Sequence, residues 1–182
     1  MIWFTSDQHF GDTRIDFFVR NSKTPEQNIE ELIENYNKLV APSDTVYVIG
    51  DITWKGIKDE DKFQDHIKRL NGSKHLILGN HDKLSIEVYK ECFESINYAY
   101  KLIHNDCQYY LVHHPKDGRK DMFNLVGHVH GCWRIQRNMI NVGVDVWNFR
   151  PVSINQIEKE RMKIAKVFDE NIFAGELECN KI

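Results

Sequence analysis

The chain has 182 residues, 41% of them hydrophobic and 12% aromatic, which is enough to close a substantial core and too apolar for a disordered polymer. Its formal net charge is −3, and lysines and arginines are scattered without a long basic run, so a general attraction to nucleic acid or to a membrane surface is excluded. No stretch approaches the ~20 apolar residues of a membrane span.

Cys92, Cys107, Cys132 and Cys179 form no Cys-x-x-Cys pair. The opening Met1-Ile2-Trp3-Phe4 lacks the basic region and long apolar run of a secretory signal. A reducing cytoplasm with free thiols is therefore expected. One domain over residues 1–182 is expected, without internal repeat or linker, and with a loosely held tail over about 170–182.

Ile2-Trp3-Phe4-Thr5 reads as a short buried strand. It runs into Ser6-Asp7-Gln8-His9, where alternation would turn Asp7 and His9 to one side. A loop over Phe10-Gly11-Asp12-Thr13-Arg14 follows. Thr24-Pro25-Glu26-Gln27 is a helix start with a capping box and proline in the first turn. Ile29, Leu32, Ile33, Tyr36, Leu39 and Val40 then recur at helical spacing. Thr45 to Ile49 is β-branched and apolar, a second strand, ending in Gly50-Asp51.

Asp59 to Leu70 has helical periodicity and stops at Asn71-Gly72. Lys74 to Leu78 is a third strand, and it opens into Gly79-Asn80-His81-Asp82. Here Asn80 offers a neutral amide oxygen to a cation, His81 can exchange a proton near neutral pH, and Asp82 can hold one of its ring nitrogens. A helix from Leu84 to about Cys92 precedes two strands, Ser95 to Ile103 and Gln108 to Val112, joined at Asn105-Asp106. The second ends in His113-His114-Pro115. After a charged loop at Asp117 to Asp121, Phe123 to Val126 is a strand ending in Gly127-His128-Val129-His130. Met139 to Val142 leads to Gly143-Val144-Asp145. Ser153 and Gln156 make a second capping box, for a helix to about Lys166.

Five apolar strands thus end at Asp7/His9, Asp51, Asn80/His81, His113 and His128/His130. Strand ends along one sheet edge are where α/β proteins build sites. Two Asp, one Asn and four His are wrong for a structural zinc site, which would use sulfur, and too many for one ion. They suit two divalent cations of the Mn²⁺, Fe or Zn²⁺ kind, because imidazole binds these better than Mg²⁺ or Ca²⁺. Asp7 and Asp51 offset only half the charge of two such ions. The remaining positive charge favours phosphate esters, and metals about 3.5–4 Å apart are a known device for in-line attack at phosphorus.

The ordered set Asp-x-His, Gly-Asp, Gly-Asn-His-Asp, His and Gly-His-x-His, over residues 7 to 130, resembles the calcineurin-like metallophosphoesterase superfamily. Asp7-Gln8-His9-Phe10-Gly11 and Asn141-Val142-Gly143-Val144-Asp145 look like its small prokaryotic and phage-type members. The resemblance implies an α/β (α+β) fold, a four-layer αββα sandwich of two mixed β-sheets flanked by helices. It implies that Asp7, His9 and His130 hold one metal, that Asn80, His113 and His128 hold the other, and that Asp51 bridges them. Manganese is the favoured ion, with Fe, Ni²⁺ or Zn²⁺ as alternatives. A hydroxide between the metals would attack phosphorus, and His81, oriented by Asp82, would stabilise the developing charge or protonate the leaving alkoxide.

His114, neighbour of the assigned ligand, is left behind the ligand set and is a candidate substrate contact. Arg14 can meet a phosphate oxygen. Gly11-Asp12 stands where small relatives often have Gly-His, so Asp12 occupies a possible substrate contact. Trp54, Trp133 and Phe149 can stack on a base or pack the core, and Asp145 can accept the free N–H of a ligand histidine. Ile52-Thr53-Trp54 after Asp51, and Asp82 in place of Glu, argue against a phosphoprotein phosphatase.

The expected function is phosphodiester hydrolysis of a small or nucleotide-derived substrate, with a phosphomonoesterase as the alternative. Long nucleic acid and membranes are not expected partners. A non-catalytic binding module on the same fold is the rival class, disfavoured because every motif position is filled.

Overall fold

The computed structural model describes residues 1–18, 20, 24–54 and 59–167. The expected tail over 170–182 and Cys179 lie outside the described residues. Cys92, Cys107 and Cys132 are free thiols.

Five strands form the first sheet: β1 (Ile2–Thr5), β2 (Thr45–Ile49), β3 (Ser73–Ile77), β4 (Ser95–Asn97) and, last in the chain, β10 (Val152–Ser153). Their order is β10-β1-β2-β3-β4, parallel except for β10. The second sheet contains β5 (Ala99–His104), β6 (Cys107–Val112), β7 (Phe123–Val126), β8 (Ile135–Gln136) and β9 (Met139–Asn141). Its order is β5-β6-β7-β9-β8, with parallel β6-β7 and β7-β9 pairs between antiparallel edges.

Strand alternation sorts the core into two layers. Val46, Val48 and Leu76 on one face of the first sheet pack under Ile29, Leu32, Ile33 and Tyr36 of α2 (Pro25–Asn37), Phe63 and Ile67 of α3 (Glu60–Lys68), and Val88 and Tyr89 of α4 (Ile86–Lys90). Phe4, Tyr47, Ile49 and Ile77 on the opposite face meet Leu102, Tyr109, Leu111, Leu125 and Ile140 of the second sheet. Ile154, Ile157 and Ile164 of α5 (Ile154–Val167) join that inter-sheet cluster. Two mixed sheets flanked by helices is the expected α/β architecture, with three helices on the first sheet and α5 alone beside β1 and β10.

Both predicted capping boxes are present. Thr24 Oγ1 accepts from the Gln27 N–H while Gln27 Oε1 accepts from the Thr24 N–H, and Ser153 and Gln156 pair in the same way at the start of α5.

Two expectations need correction. Ser95 to Ile103 is two strands, not one: β4 ends the first sheet at Asn97, and β5 begins the second at Ala99. The apolar pattern runs on because both pieces are half buried, so periodicity alone does not reveal the change of sheet. The loop expected to run through Arg14 gives way at Thr13 to a short helix, α1 (Thr13–Phe18), whose start is fastened by the Asp12 carboxylate accepting from the Arg14 N–H at 3.0 Å.

Parallel strands β1, β2 and β3 of one sheet and β6 and β7 of the other bring their carboxyl ends to a common edge. Ser6 pairs with Gly143 across the sheets, and the Val144 N–H donates to Ser6 O at 3.0 Å. That stitch fixes the two strand-end clusters relative to each other.

Candidate metal centre

Beyond Thr5 the chain leaves the strand but stays tied to its neighbour. The Asp7 N–H donates to Gly50 O and the His9 N–H to Asp51 O, each at 3.0 Å. Asp7 (φ 61°), His9 (φ 50°), Asp51 (φ 52°), His128 (φ 73°) and His130 (φ 45°) all have left-handed backbones. Each such residue costs about 1–3 kcal/mol, and such strain gathers where a site requires it. The convergence of Asp7 and His9 thus comes from two left-handed turns, not from the β alternation expected at a strand end.

These turns assemble two groups. Ligand atoms of Asp7, His9 and His130 lie within 4.8 Å of one another, and so do those of Asp51, His113 and His128. Asp51 Oδ2 links the groups, 3.6 Å from His9 Nε2 and 3.2 Å from His113 Nε2. Asn80 Oδ1 joins the second group, 3.2 Å from His113 Nε2 and 2.8 Å from His128 Nδ1. All seven residues read as ligands are therefore brought together. His66, His75 and His104 lie elsewhere, against Phe10, Tyr47 and Glu158 respectively.

Glycines clear the space around the carboxylates. A Cβ on Gly79 would overlap Asp51 Oδ1, and one on Gly127 would overlap Ser6 Oγ and crowd Asp7 Oδ2. The motif glycines are needed for this close approach.

Neighbouring groups aim the rings. Nδ1 of His113 faces Ile49 O at 2.9 Å, which turns Nε2 toward Asp51 and Asn80. Nδ1 of His130 donates to Asp145 Oδ2 at 2.7 Å, leaving its Nε2 free. Asp145 was among the residues read from sequence as able to do this. Arg20 was not. Its buried guanidinium donates to Asp145 Oδ1 (2.9 Å), Gln8 O (2.9 Å) and Asp7 O (2.6 Å), so it clamps the left-handed Asp7 turn and steadies Asp145 at once. No local pattern marks it, because its partners lie up to 125 residues away.

Asp82 departs from expectation. Its oxygens accept from the N–H groups of Asp51 (2.8 Å), Gly79 (2.8 Å) and Thr53 (3.1 Å) and from Thr53 Oγ1 (3.2 Å). With these donors in place it ties the Asp51 turn to the Gly79 turn and does not orient the His81 ring. Nδ1 of His81 is buried without a hydrogen-bond partner among the described residues. The ring stands edge-on to His9, with centroids 5.1 Å apart, and the His81 N–H donates to Asp51 Oδ1 at 2.8 Å.

The remaining predicted residues lie around the rim. Asp12, almost fully buried, is engaged by Arg14, with Nε to Oδ1 at 3.0 Å and Nη2 to Oδ2 at 2.9 Å. Arg14 also lies over the Trp54 ring at 5.0 Å. Asp12 therefore serves Arg14 rather than standing free as a contact of its own. The His114 ring packs against that of His128, with centroids 4.1 Å apart, and its Nδ1 accepts from the Lys116 N–H at 3.1 Å.

The electrostatics fit a cation site. Burial lowers the pKa of His9 to about 3, and burial with the charges of His114 and His113 lowers that of His128 to about 4, so both offer neutral imidazoles. For His113, burial opposes protonation, but the Asp51 hydrogen bond and the charges of Asp7 and Asp51 outweigh it and raise the pKa to about 9. Burial raises the Asp7 pKa. Both ring nitrogens of His9 are buried without a hydrogen-bond partner among the described residues. Such orphaned atoms are costly unless another ligand satisfies them. Imidazole and carboxylate donors around them suit borderline divalent cations.

Comparison with known proteins finds related sequences and a related fold. The family model described as calcineurin-like phosphoesterase matches residues 1–161. An uncharacterised protein of Methanocaldococcus jannaschii is 31% identical over 93% of this chain and 97% of its own length. The gene 66 protein of mycobacteriophage L5 is 28% identical over 85% of this chain and 91% of its own. The crystal structure of a protein of unknown function from Aquifex aeolicus superposes with a TM-score of 0.73 at 28% identity, covering 87% of this chain and 98% of that one. The expected small prokaryotic and phage-type kinship is thus found.

Proposed function

The chain belongs to the calcineurin-like phosphoesterase family, and from that premise we propose that it is a phosphodiesterase acting on a small or nucleotide-derived substrate with two divalent cations. The observation that carries this reading is the Asp51 carboxylate facing His9 of one ligand group and His113 of the other. Asp7, His9 and His130 would hold one ion, Asn80, His113 and His128 the second, and Asp51 both. Manganese is the ion we favour. The pair would supply Lewis acidity and a hydroxide nucleophile near neutral pH.

The chain's own residues do the rest. His113 Nε2 and His128 Nδ1 both approach Asn80 Oδ1, and Asp145 accepts from His130 Nδ1, which would leave Nε2 as the ligand atom. His81 acts on the ester itself. Its ring flanks His9 without being tied by a carboxylate, so it is free to give a proton to the departing alkoxide. Arg14, held by Asp12 and half exposed, is available to a phosphate oxygen. His114 contributes by packing on His128.

The preference for a diester over a monoester is the finer part of the proposal. No helix among the described residues is long and apolar enough to cross a membrane, and we place the enzyme in the cytoplasm with neither membrane nor long nucleic acid as partner.

The test is metal reconstitution. Protein stripped with chelator and reloaded separately with Mn²⁺, Ni²⁺, Zn²⁺ or Mg²⁺ is assayed on an aryl phosphodiester and an aryl phosphomonoester. Turnover of the diester, fastest with Mn²⁺, is expected. Absence of turnover with every metal would leave a binding module, and a monoester preference would reassign the reaction.

A further inference from the structure

Next to the proposed second cation site a groove of about 380 Å³ opens between the sheets. Its lining includes Asn80, His113 and His114, the apolar Leu78, Ala99 and Val112, and the aromatic Tyr98 and Tyr110, with the exposed Lys116 and Asp117 at its mouth. Tyr98 is the residue at which the chain passes from β4 to β5, and it is 82% exposed, the most exposed of the large hydrophobic side chains among the described residues. A tyrosine displayed in this way beside a candidate active site has a free face for stacking. The Arg119 guanidinium carbon lies over the Tyr110 ring, 5.9 Å from its centroid.

We infer that this groove receives the nucleoside part of the substrate, with the base stacked on Tyr98 while the phosphate occupies the cation site. The inference rests on the phosphoesterase reading for the position of the phosphate. Three features select a nucleoside over other ester substituents. The volume lies at the lower end of small-molecule pockets, so it admits one nucleoside and not an oligomer. Base stacking on an aromatic ring is strong and tolerant of base identity. The mouth carries both charge signs: Lys116 has no ion-pair partner among the described residues and can meet a base carbonyl, and Asp117 can accept from a ribose hydroxyl or an exocyclic amine. An alkyl substituent would use neither ion, and a polyphosphate would be repelled by Asp117.

The experiment is calorimetric titration of the full chain loaded with Mn²⁺, using adenosine 5′-monophosphate, thymidine 5′-monophosphate and methyl phosphate, with metal-free protein in parallel. Both nucleotides are expected to bind at least about tenfold more tightly than methyl phosphate. Tyr98→Ala should remove most of that preference with an unchanged melting midpoint, and Tyr98→Trp should preserve it. Equal affinity for all three probes, or a preference that survives Tyr98→Ala, overturns the inference. Since no turnover is needed, the two readings fail separately. Hydrolysis without nucleotide preference sinks the groove assignment alone. A nucleotide preference in a protein that hydrolyses no ester with any cation supports the groove and sinks the hydrolase reading.

Discussion

His130 and Asp145 are joined by a 2.7 Å hydrogen bond from Nδ1 to Oδ2, and Arg20 holds the other oxygen of the same carboxylate at 2.9 Å. Aiming His130 therefore depends on a chain of three residues. Asp145→Asn is expected to weaken binding of the first cation by about 10–100-fold, the usual consequence of losing a carboxylate behind a ligand histidine. Arg20→Met should weaken it too, because the Asp7 and Gln8 carbonyls lose their clamp. Titration with Mn²⁺ checks both variants, and an affinity within twofold of the parent protein would refute the role given to Asp145.

The His81 ring is hydrogen-bonded to no carboxylate among the described residues, so its proposed work is on the ester. In His81→Asn, kcat on an alkyl diester with a poor leaving group should fall by about 10²–10⁴ with two metals still bound. The loss should shrink on nitrophenyl esters, which leave without proton help. Equal losses on both substrates would assign His81 to binding or structure.

Asp82 is predicted to matter for stability more than for proton transfer. Removing its carboxylate orphans the buried N–H groups of Asp51, Gly79 and Thr53. Asp82→Ala should cost about 2–4 kcal/mol of unfolding free energy, and Asp82→Asn less, because one oxygen remains. Urea denaturation of the metal-free protein measures this. A loss below about 0.5 kcal/mol, the range of ordinary surface changes, would contradict it.

Metal loading should be coupled to protons. Without cations, His113 keeps a proton below about pH 9, and a metal binding through Nε2 must displace it. Affinity for the second cation should therefore rise with pH up to about 9, by at most about tenfold per unit, and level off above. His9 and His128, with values of about 3 and about 4, are already neutral and add nothing in this window. Calorimetry near pH 7.5 in buffers of different ionisation enthalpy should detect about one proton released from this site. A pH-independent affinity between 6 and 9 would exclude the mechanism.

Much of the site could be read from order along the chain. A metal-ligand residue after each of five apolar runs is a one-dimensional signal, because parallel strands of an α/β protein deliver their carboxyl ends to one edge. Asp145 was legible for a similar reason: it follows the strand beside the one that supplies His130. Capping boxes at Thr24 and Ser153 are local chemistry and need no tertiary knowledge.

Other features had no local signature. Arg20 reaches Asp145 across the fold, and only packing brings them together. Asp82 sits beside His81 in sequence, which suggested a contact between the two. The fold instead turns its carboxylate inward to the N–H groups of three residues, since a buried carboxylate takes whichever donors surround it. The break at Tyr98 was hidden because hydrophobic alternation registers burial, not which sheet does the burying.

Residue types and their order were sufficient to specify an α/β chain with imidazoles and carboxylates at its strand ends, because secondary-structure periodicity and ligand chemistry are properties of the chain, and the two-sheet scaffold was what the family resemblance of those motifs implied. Which nitrogen of each ring points inward, which carboxylate supports which neighbour, and the left-handed turns at Asp7, His9, Asp51, His128 and His130 were decided by the assembled sheets. Their cost is met by contacts between residues far apart in sequence, which have no counterpart in a linear pattern.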